Sequence, residues 1–123
     1  MHIERKPART FQDLVVWQKA HGFVLSTYRL TACFPKQEIY GLSSQMRRAA
    51  VSIAANIAEG FKKRGEADKA RYLNTSEGSL EESRYYLLLT RDLKYAETTQ
   101  EMTALNELGR LLNAYAEAIR ASI

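Results

Sequence analysis

The stretch SIAANIAEGFKKR, from Ser52 to Arg64, contains the pattern that decides the fold of this chain. Ile53 and Ile57 stand four positions apart, as apolar residues do on one face of a helix. Gly60 follows the last apolar turn, where glycine is typical of a left-handed helix end. The stretch therefore predicts an amphipathic helix that ends near Glu59 and is followed by a basic turn.

Apolar periodicity predicts two helices up to this point in the chain. The first begins at Phe11, with Thr10 as its N-cap, and has apolar or aromatic residues at alternating spacings of three and four. It ends at Phe34-Pro35, because proline disfavours helical geometry in the residue before it. The second helix runs from about Gly41 to Glu59.

Two further helices follow the basic turn. The third runs from roughly Glu66 to Lys94 and has leucines at heptad spacing with small polar residues between them. The fourth opens at Thr98, which is predicted to form a capping box with Glu101. Short loops join the four helices, so the sequence predicts an all-α protein, an antiparallel up-down-up-down four-helix bundle over residues 11–123. Residues 1–10 are expected to be a flexible basic tail.

Length and composition favour a single soluble domain. The chain has 123 residues, 46% of them hydrophobic, which is enough for one buried core. Cys33 is the single cysteine, so neither an internal disulfide nor a zinc cluster is expected, in keeping with a reducing cytoplasm. No apolar run is long enough to span a bilayer, and the first residues lack the apolar segment of a secretory leader. We therefore expect a cytoplasmic protein.

The charge of the chain is distributed unevenly. The net charge is +4, but residues 1–72 contain 13 Lys and Arg against 6 Asp and Glu, whereas residues 73–123 contain 5 against 8. A basic first half favours a polyanionic partner. Subunits that meet basic face to acidic face would explain the same asymmetry.

Four polar residues form a line along the second helix: Arg48, Ser52, Asn56 and Glu59. They fall within roughly an 80° sector beside the apolar stripe, so they border the core. Two interpretations stay open: an interhelical hydrogen-bond network that specifies packing, or a polar site that binds a ligand or partner. No His, Cys or second carboxylate in the line could serve Ser52 as a base, so nucleophilic catalysis is not expected.

The register between the second and third helices predicts a partner for Arg48. If the chain turns near residue 64, Arg48 is level with Glu82, and Ser52 is level with Ser76. Burying half of an arginine is unfavourable unless the charge is paired. We therefore expect an ion pair between Arg48 and either Glu82 or Glu81.

The third helix is apolar or aromatic around its whole circumference at Tyr85–Leu89. One side of such a segment faces the core, and the other sides need a second cover. The sequence therefore predicts homo-oligomerisation, with Tyr85, Leu88 and Leu89 in the interface. A monomer with a few exposed aromatic residues is the alternative.

Basic residues cluster after the second helix and predict a surface for phosphate groups. Several phosphate contacts per subunit would make binding strongly salt-dependent. The candidate nucleic-acid-binding residues are Lys62, Lys63, Arg64, Lys69 and Arg71, with Arg47 as a weaker candidate and Arg5, Lys6 and Arg9 in the tail. Alternatively, the basic run only complements the negative end of the helix dipole. No base-reading motif is present, so recognition of a base sequence is not expected.

Two isolated residues are interpreted as structural. His21 occupies a core-side heptad position, which favours a packed histidine over a metal ligand. Cys33 is expected to act as a small hydrophobic residue and not as a nucleophile. No glycine-rich phosphate loop of the usual spacing occurs, so neither a metal nor a cofactor is expected.

Three segments resemble a known family. They are FQDLVVWQKA, FPKQEIYGLSSQMRRAAVSIAANIAEG and RYLNTSEGSLEES. The last contains the aromatic-Leu pair Tyr72-Leu73 and the run Gly78-Ser79-Leu80, with Glu82 two residues on; Ser76-Glu77 departs from the family pattern. Together the segments resemble the 23S rRNA intervening-sequence proteins, the four-helix-bundle or S23 family, to which the accessory proteins of diversity-generating retroelements are related.

The resemblance implies a four-helix bundle that assembles as a ring, expected to be a pentamer, with a basic surface for nucleic acid. In the retroelement relatives the bundle is a partner of a reverse transcriptase, so an enzyme of that kind is a candidate partner here. The predicted function is a non-enzymatic, oligomeric bundle that binds RNA, DNA or a nucleic-acid-processing partner through its basic surface. The alternative is a protein–protein interaction scaffold without nucleic-acid binding. The residues assigned to a structural polar network are Arg48, Ser52, Asn56, Glu59 and Glu82.

Overall fold

The structure, a computed structural model, describes residues 7–123 and confirms the all-α prediction. Arg5 and Lys6 of the expected tail lie outside the described residues. The four helices are α1 (Val15–Thr31), α2 (Leu42–Lys62), α3 (Glu66–Asp92) and α4 (Thr99–Ala121). Two short 3₁₀ turns, Phe11–Asp13 and Lys36–Glu38, precede α1 and α2.

The helices pack as an antiparallel up-down-up-down bundle. Between α2 and α3, the Ser76 hydroxyl donates to the carbonyl of Ile53 at 2.8 Å, and the Tyr86 hydroxyl donates to Gln45 at 3.0 Å. The later residue of α3 therefore contacts the earlier residue of α2, so the two helices run antiparallel. Each helix contacts the next one in the chain, and α4 closes the bundle against α1.

One continuous apolar core runs through the bundle. All four helices contribute to it, and the largest side chains in it are almost completely buried: Ile53, Ile57, Leu73, Leu87, Leu105, Leu108 and Leu112. Small hydroxyl residues of α3 lie between its leucines, and Ser76, Ser83 and Thr90 are all buried. Because these side chains are short, α2 and α3 approach each other closely.

The end of α2 differs from the prediction. Gly60 does not adopt a left-handed conformation, and α2 continues to Lys62. A Cβ at Gly60 would lie 3.0 Å from the Cβ of Tyr72, so the glycine is needed for the close approach of α3. The ammonium of Lys69 caps the helix by donating to the carbonyls of Phe61, at 2.6 Å, and Gly60, at 3.4 Å.

The two predicted N-terminal caps have different outcomes. Thr10 is an N-cap, as predicted, but it precedes a 3₁₀ turn and not α1. Phe11–Asp13 is a 3₁₀ turn, and Leu14 is extended, so α1 begins only at Val15. The backbone N–H groups of Arg9 and Thr10 donate to the Asp13 carboxylate and lower its pKa. The capping box at Thr98 is wrong, because its hydroxyl donates to the carbonyl of Leu87 in α3 and makes no cap.

His21 and Cys33 are both exposed, so the prediction that His21 packs on the core side of α1 is wrong. The ring of His21 stacks on that of Trp17 at 5.0 Å between ring centroids. Cys33 follows the end of α1, beyond the reach of the core.

A hydrogen bond joins the two loops at the end of the bundle opposite the basic turn. The Tyr95 hydroxyl donates to Glu38 at 2.7 Å, and the N–H of Leu42 donates to the same carboxylate at 3.2 Å. These two donors, Tyr95 first, hold the pKa of Glu38 below its usual value. The ionised carboxylate therefore stabilises the fold above the pKa of the unfolded chain, and that contribution is lost as the pH falls through the folded pKa.

We expect Tyr95→Phe to lower the urea midpoint at pH 7, because the variant removes the donor that most favours ionised Glu38. The difference from the wild type should shrink at an acidic pH below the lowered folded pKa of Glu38, because the carboxylate is then protonated in both proteins. Urea unfolding followed by circular dichroism at both pH values measures the effect. Tyr85→Phe, which removes an exposed hydroxyl, is the matched control. An equal loss at both pH values would contradict the ionised-acceptor interpretation.

Candidate functional site

The basic end is the end of the bundle formed by the α2–α3 turn and the segment before α1. The 3₁₀ turn at Phe11–Asp13 packs against the last turns of α2, and Arg9 and Lys62 line one shallow depression there. The antiparallel return of α3 places Arg71 at the same end. We define the basic end by five residues: Arg9, Lys62, Lys63, Arg64 and Arg71.

Two of these cations lie against the ring of Tyr72. The Lys63 ammonium is 5.0 Å from the ring centroid, and the Arg71 guanidinium is 5.4 Å from it. Such contacts contribute about 0.5–1 kcal/mol each at exposed sites. Tyr72 therefore holds both cations near the surface, and Arg71 is further fixed by an exposed ion pair with Asp68 at 2.9 Å.

The cations of the turn form no ion pair with any other residue of the described chain. These cations are Lys62, Lys63 and Arg64. The side chains of Lys62 and Arg64 are exposed. Lys69, and not the basic run, caps the end of α2, because its half-buried ammonium donates to the carbonyl of Phe61. Lys69 is therefore engaged in hydrogen bonds within the protein, whereas Lys62 and Arg64 are exposed and the Lys63 ammonium contacts the ring of Tyr72.

Carboxylates share this end of the bundle and reduce its net charge. Glu59 is exposed in the depression that contains Arg9 and Lys62, and Glu66 opens α3. Asp68 is already paired with Arg71. The basic end is thus a cluster of available cations next to acidic residues, and not a uniformly positive surface.

Arg47 does not join the basic end. Its Nε donates to the Thr31 hydroxyl at 2.8 Å, and its guanidinium lies 4.6 Å from the ring centroid of Tyr28. Sixteen positions separate Arg47 from Lys63, which corresponds to about 24 Å along a helix. Arg47 belongs instead to the groove between α1 and α2.

The polar line of α2 is only partly a network. Ser52 and Ser79 share a hydrogen bond of 2.8 Å between their hydroxyls, and the Asn56 amide donates to the carbonyl of Ser52, at 2.8 Å, and to its hydroxyl, at 3.1 Å. Ser79, and not Ser76, is therefore the partner of Ser52. Side chains lean toward the N-terminus of their own helix, so in an antiparallel pair they meet from offset positions. Ser79 belongs to the Gly78-Ser79-Leu80 run of the sequence, but the spacing of residues alone did not identify it as the partner of Ser52.

The other predicted members lie outside the network. Arg48 is exposed and forms no ion pair with Glu82 or Glu81, so the predicted pairing is wrong; Glu81 pairs with Arg84 at 3.2 Å instead. Arg48 lies on the outer edge of the line, where water solvates its charge and no partner is required. Glu59 and Glu82 are likewise exposed.

The predicted interface residues of α3 differ in exposure. Tyr85 is 59% exposed and Leu88 is 36% exposed, whereas Leu89 is half-buried and packs against the core. Two of the three are thus available to a partner.

Residues 7–123 contain neither a metal-ligand cluster nor a membrane-spanning helix. No cluster of three or more His, Cys, Asp or Glu residues that could hold a metal ion occurs in this part of the chain. No helix within it is both long enough and apolar enough to cross a membrane.

Comparisons with known proteins identify the family. No curated protein matches this chain. A solved structure from Bacteroides thetaiotaomicron, described as a protein of unknown function from the S23 ribosomal protein family, superposes with a TM-score of 0.76 at 26% sequence identity. The match covers 84% of this chain and 96% of that one. The family model of the 23S rRNA-intervening sequence protein matches residues 12–115. The chain therefore belongs to the 23S rRNA-intervening sequence protein family.

Proposed function

We propose that this protein is a non-enzymatic bundle that binds nucleic acid, or a partner that processes nucleic acid, through its basic end. The observation that most supports this is the state of Lys62, Lys63 and Arg64, which form no ion pair within residues 7–123. Arg9 and Arg71 lie at the same end and extend the possible contact to five cations. The family name refers to an insertion in a ribosomal RNA, which favours RNA as the first ligand to test.

Binding of this kind acts on phosphate groups and on shape. Lysine and arginine release condensed counterions when they contact phosphates, so affinity falls steeply with salt. The ring of Tyr72 packs against Lys63 and Arg71 and is therefore not free to stack on a base. The sequence contains no base-reading motif. We therefore expect little discrimination between base sequences.

The test is a fluorescence-anisotropy titration with structured RNA, single-stranded RNA and duplex DNA at several salt concentrations. Replacing Lys62, Lys63 and Arg64 with glutamine should weaken binding roughly 10- to 100-fold at low salt, because up to three phosphate contacts are lost. The slope of log affinity against log salt should decrease by about 2 to 3.

The matched control is a second triple glutamine variant at the opposite end of the bundle. Arg29, Lys36 and Lys94 are exposed there, and their replacement changes the net charge by the same amount. Equal weakening in both triple variants would show a general charge effect and contradict the proposed site. A wild-type protein that binds none of the three ligands at low salt would remove the proposal.

A protein–protein scaffold is the second candidate, and the exposed apolar residues favour it. Tyr40 is 96% exposed, and Tyr85 is exposed on a different helix. We propose that the protein associates with itself, as a ring of five or another number of copies. A reverse-transcriptase-like enzyme stays a proposed client. In this case the turn variants would leave binding to the partner unchanged.

A further inference from the structure

A groove between α1 and α2 combines exposed aromatic, apolar and cationic side chains. We define this α1–α2 cleft by six of the residues that line it: Tyr28, Ile39, Tyr40, Arg47, Arg48 and Val51. Its volume is about 600 Å³, within the range of about 300–1,000 Å³ that is typical of small-molecule sites. Arg47 lies about 24 Å from Lys63 along the helix axis, so the cleft is a different surface from the basic end.

The ring of Tyr40 is free to stack on a ligand. Tyr40 is 96% exposed, and its ring contacts no other aromatic ring of residues 7–123. Ile39 and Val51 are exposed in the same cleft and add aliphatic surface to it. Any nucleic-acid base can stack on such a ring, because every base has a π-face. The cleft therefore offers the stacking surface that the basic end lacks, where two cations cover Tyr72.

Two arginines provide the positive charge of the cleft. The Nε of Arg47 donates to the Thr31 hydroxyl at 2.8 Å, and its guanidinium lies 4.6 Å from the ring centroid of Tyr28, so this side chain is held in place. Arg48 is exposed. None of the residues that line the cleft is acidic. Guanidinium groups bind phosphate oxygens through two parallel hydrogen bonds, so the pair of arginines favours a phosphate over an uncharged ligand.

Carboxylates of the neighbouring elements are not paired with these arginines. Glu38 is the single carboxylate between residues 14 and 58, and its oxygens accept hydrogen bonds from Tyr95 and Leu42. Glu82 on α3 is exposed and forms no ion pair with Arg48. Within residues 7–123, both guanidinium groups are therefore available to an external anion.

We propose that the α1–α2 cleft binds a single nucleotide unit, whose base stacks on Tyr40 and whose phosphate contacts Arg47 and Arg48. A free nucleoside monophosphate and an unpaired nucleotide of an RNA strand present the same chemistry to the cleft. A duplex does not, because its bases are stacked on one another. A protein segment would match only if an acidic group lay beside an apolar one, whereas every nucleotide has a flat base and a phosphate. This site goes beyond the proposed function, since it contacts a base and does not depend on the basic end.

The test uses 2-aminopurine as the base, because its fluorescence falls when it stacks on an aromatic ring. The probes are 2-aminopurine riboside 5′-monophosphate and an oligouridine of about 12 nucleotides with 2-aminopurine at alternate positions, a length within the usual range of single-strand sites. We expect the wild-type protein to quench both probes. Tyr40→Leu should weaken binding of the monophosphate about 5- to 100-fold, the loss expected for one base–aromatic contact.

Matched variants separate the ring from the charge. Tyr40→Phe retains the ring and should quench both probes as the wild type does. Tyr85→Leu makes the same replacement at an exposed tyrosine of α3 and should leave the quenching unchanged. Arg48→Gln should reduce the slope of log affinity against log salt for the oligonucleotide by about 1, because one phosphate contact is lost. Circular dichroism of each variant checks the fold.

The triple glutamine variant of Lys62, Lys63 and Arg64 separates the cleft from the basic end. It should quench the monophosphate as the wild type does, because no residue of the turn lines the cleft. Competition by unlabelled adenosine monophosphate and by unlabelled oligouridine distinguishes the two sources of the nucleotide, and displacement by either supports the site. A protein that binds duplex RNA through its basic end but quenches neither probe would retain the proposed function and lose the nucleotide site.

Three results would overturn the proposal. The first is a wild-type protein that quenches neither probe at about 1 mM, a concentration at which even weak ligands with millimolar dissociation constants bind. The second is quenching that Tyr40→Leu does not change. The third is a Tyr40→Leu variant that quenches normally but has a smaller molar mass by light scattering or no longer binds an acidic, tyrosine-containing peptide, which would assign the cleft to a second copy or to a protein partner.

Discussion

Replacing Ser76 with leucine is expected to lower the free energy of unfolding by about 2–4 kcal/mol, because the larger side chain overpacks the interface and a buried hydrogen bond is lost. Ser76 is fully buried, and its hydroxyl lies 2.8 Å from the carbonyl oxygen of Ile53 in α2. A leucine there must push α2 and α3 apart or distort its own rotamer. Urea unfolding followed by circular dichroism measures the loss.

Two variants separate the causes of this effect. Ser76→Ala removes only the hydroxyl and should cost about 1 kcal/mol. Thr75→Leu places the same side chain at the neighbouring exposed position of α3 and should change stability by no more than about 0.5 kcal/mol. A Ser76→Leu protein as stable as the wild type would show that α2 and α3 are not closely packed at this level.

Replacing Leu108 with alanine is expected to lower the free energy of unfolding by about 2–5 kcal/mol, the range for a leucine in a core that relaxes only partly. Leu108 is fully buried in α4 and belongs to the continuous core. The loss combines the apolar surface that is no longer buried with the cavity left among the neighbouring leucines.

Leu25→Ala is the matched control for this variant. Leu25 is exposed on α1, so the same deletion of side-chain atoms should cost about 0.5 kcal/mol or less. Both proteins are compared in urea at constant protein concentration, since self-association would add to apparent stability. If Leu25→Ala were the more destabilising variant, α4 would not supply the core that the structure describes.

The stability of the nucleic-acid-binding variants should be measured in the same way, so that a loss of binding can be separated from a loss of fold. Lys62 and Arg64 are exposed, so their replacement by glutamine should leave the urea midpoint nearly unchanged. Lys69 is different, because its ammonium caps α2 and its removal leaves the carbonyl of Phe61 without that donor. A loss of RNA binding on replacing Lys69 would therefore not identify a contact residue, whereas a loss in the turn variant would.

The order and type of the helices could be predicted from the sequence, because apolar residues at three- and four-residue spacing place one face of each helix toward the core. The buried positions of Ile53, Ile57 and Ser76 follow from that spacing, and the structure confirms them. The cluster of cations at the end of α2 could also be predicted, since Lys62, Lys63 and Arg64 are consecutive in the sequence.

The partners of individual polar side chains were decided only by the tertiary structure. Ser52 bonds to Ser79 because both side chains lean toward the N-termini of antiparallel helices. Arg48 is exposed to solvent, and the Lys69 ammonium donates to the carbonyl of Phe61 at the end of α2. Periodicity fixes which face of a helix is buried, but a hydrogen bond depends on shifts of a few ångströms between helices, and these shifts are set by how closely residues such as Gly60 let the backbones approach.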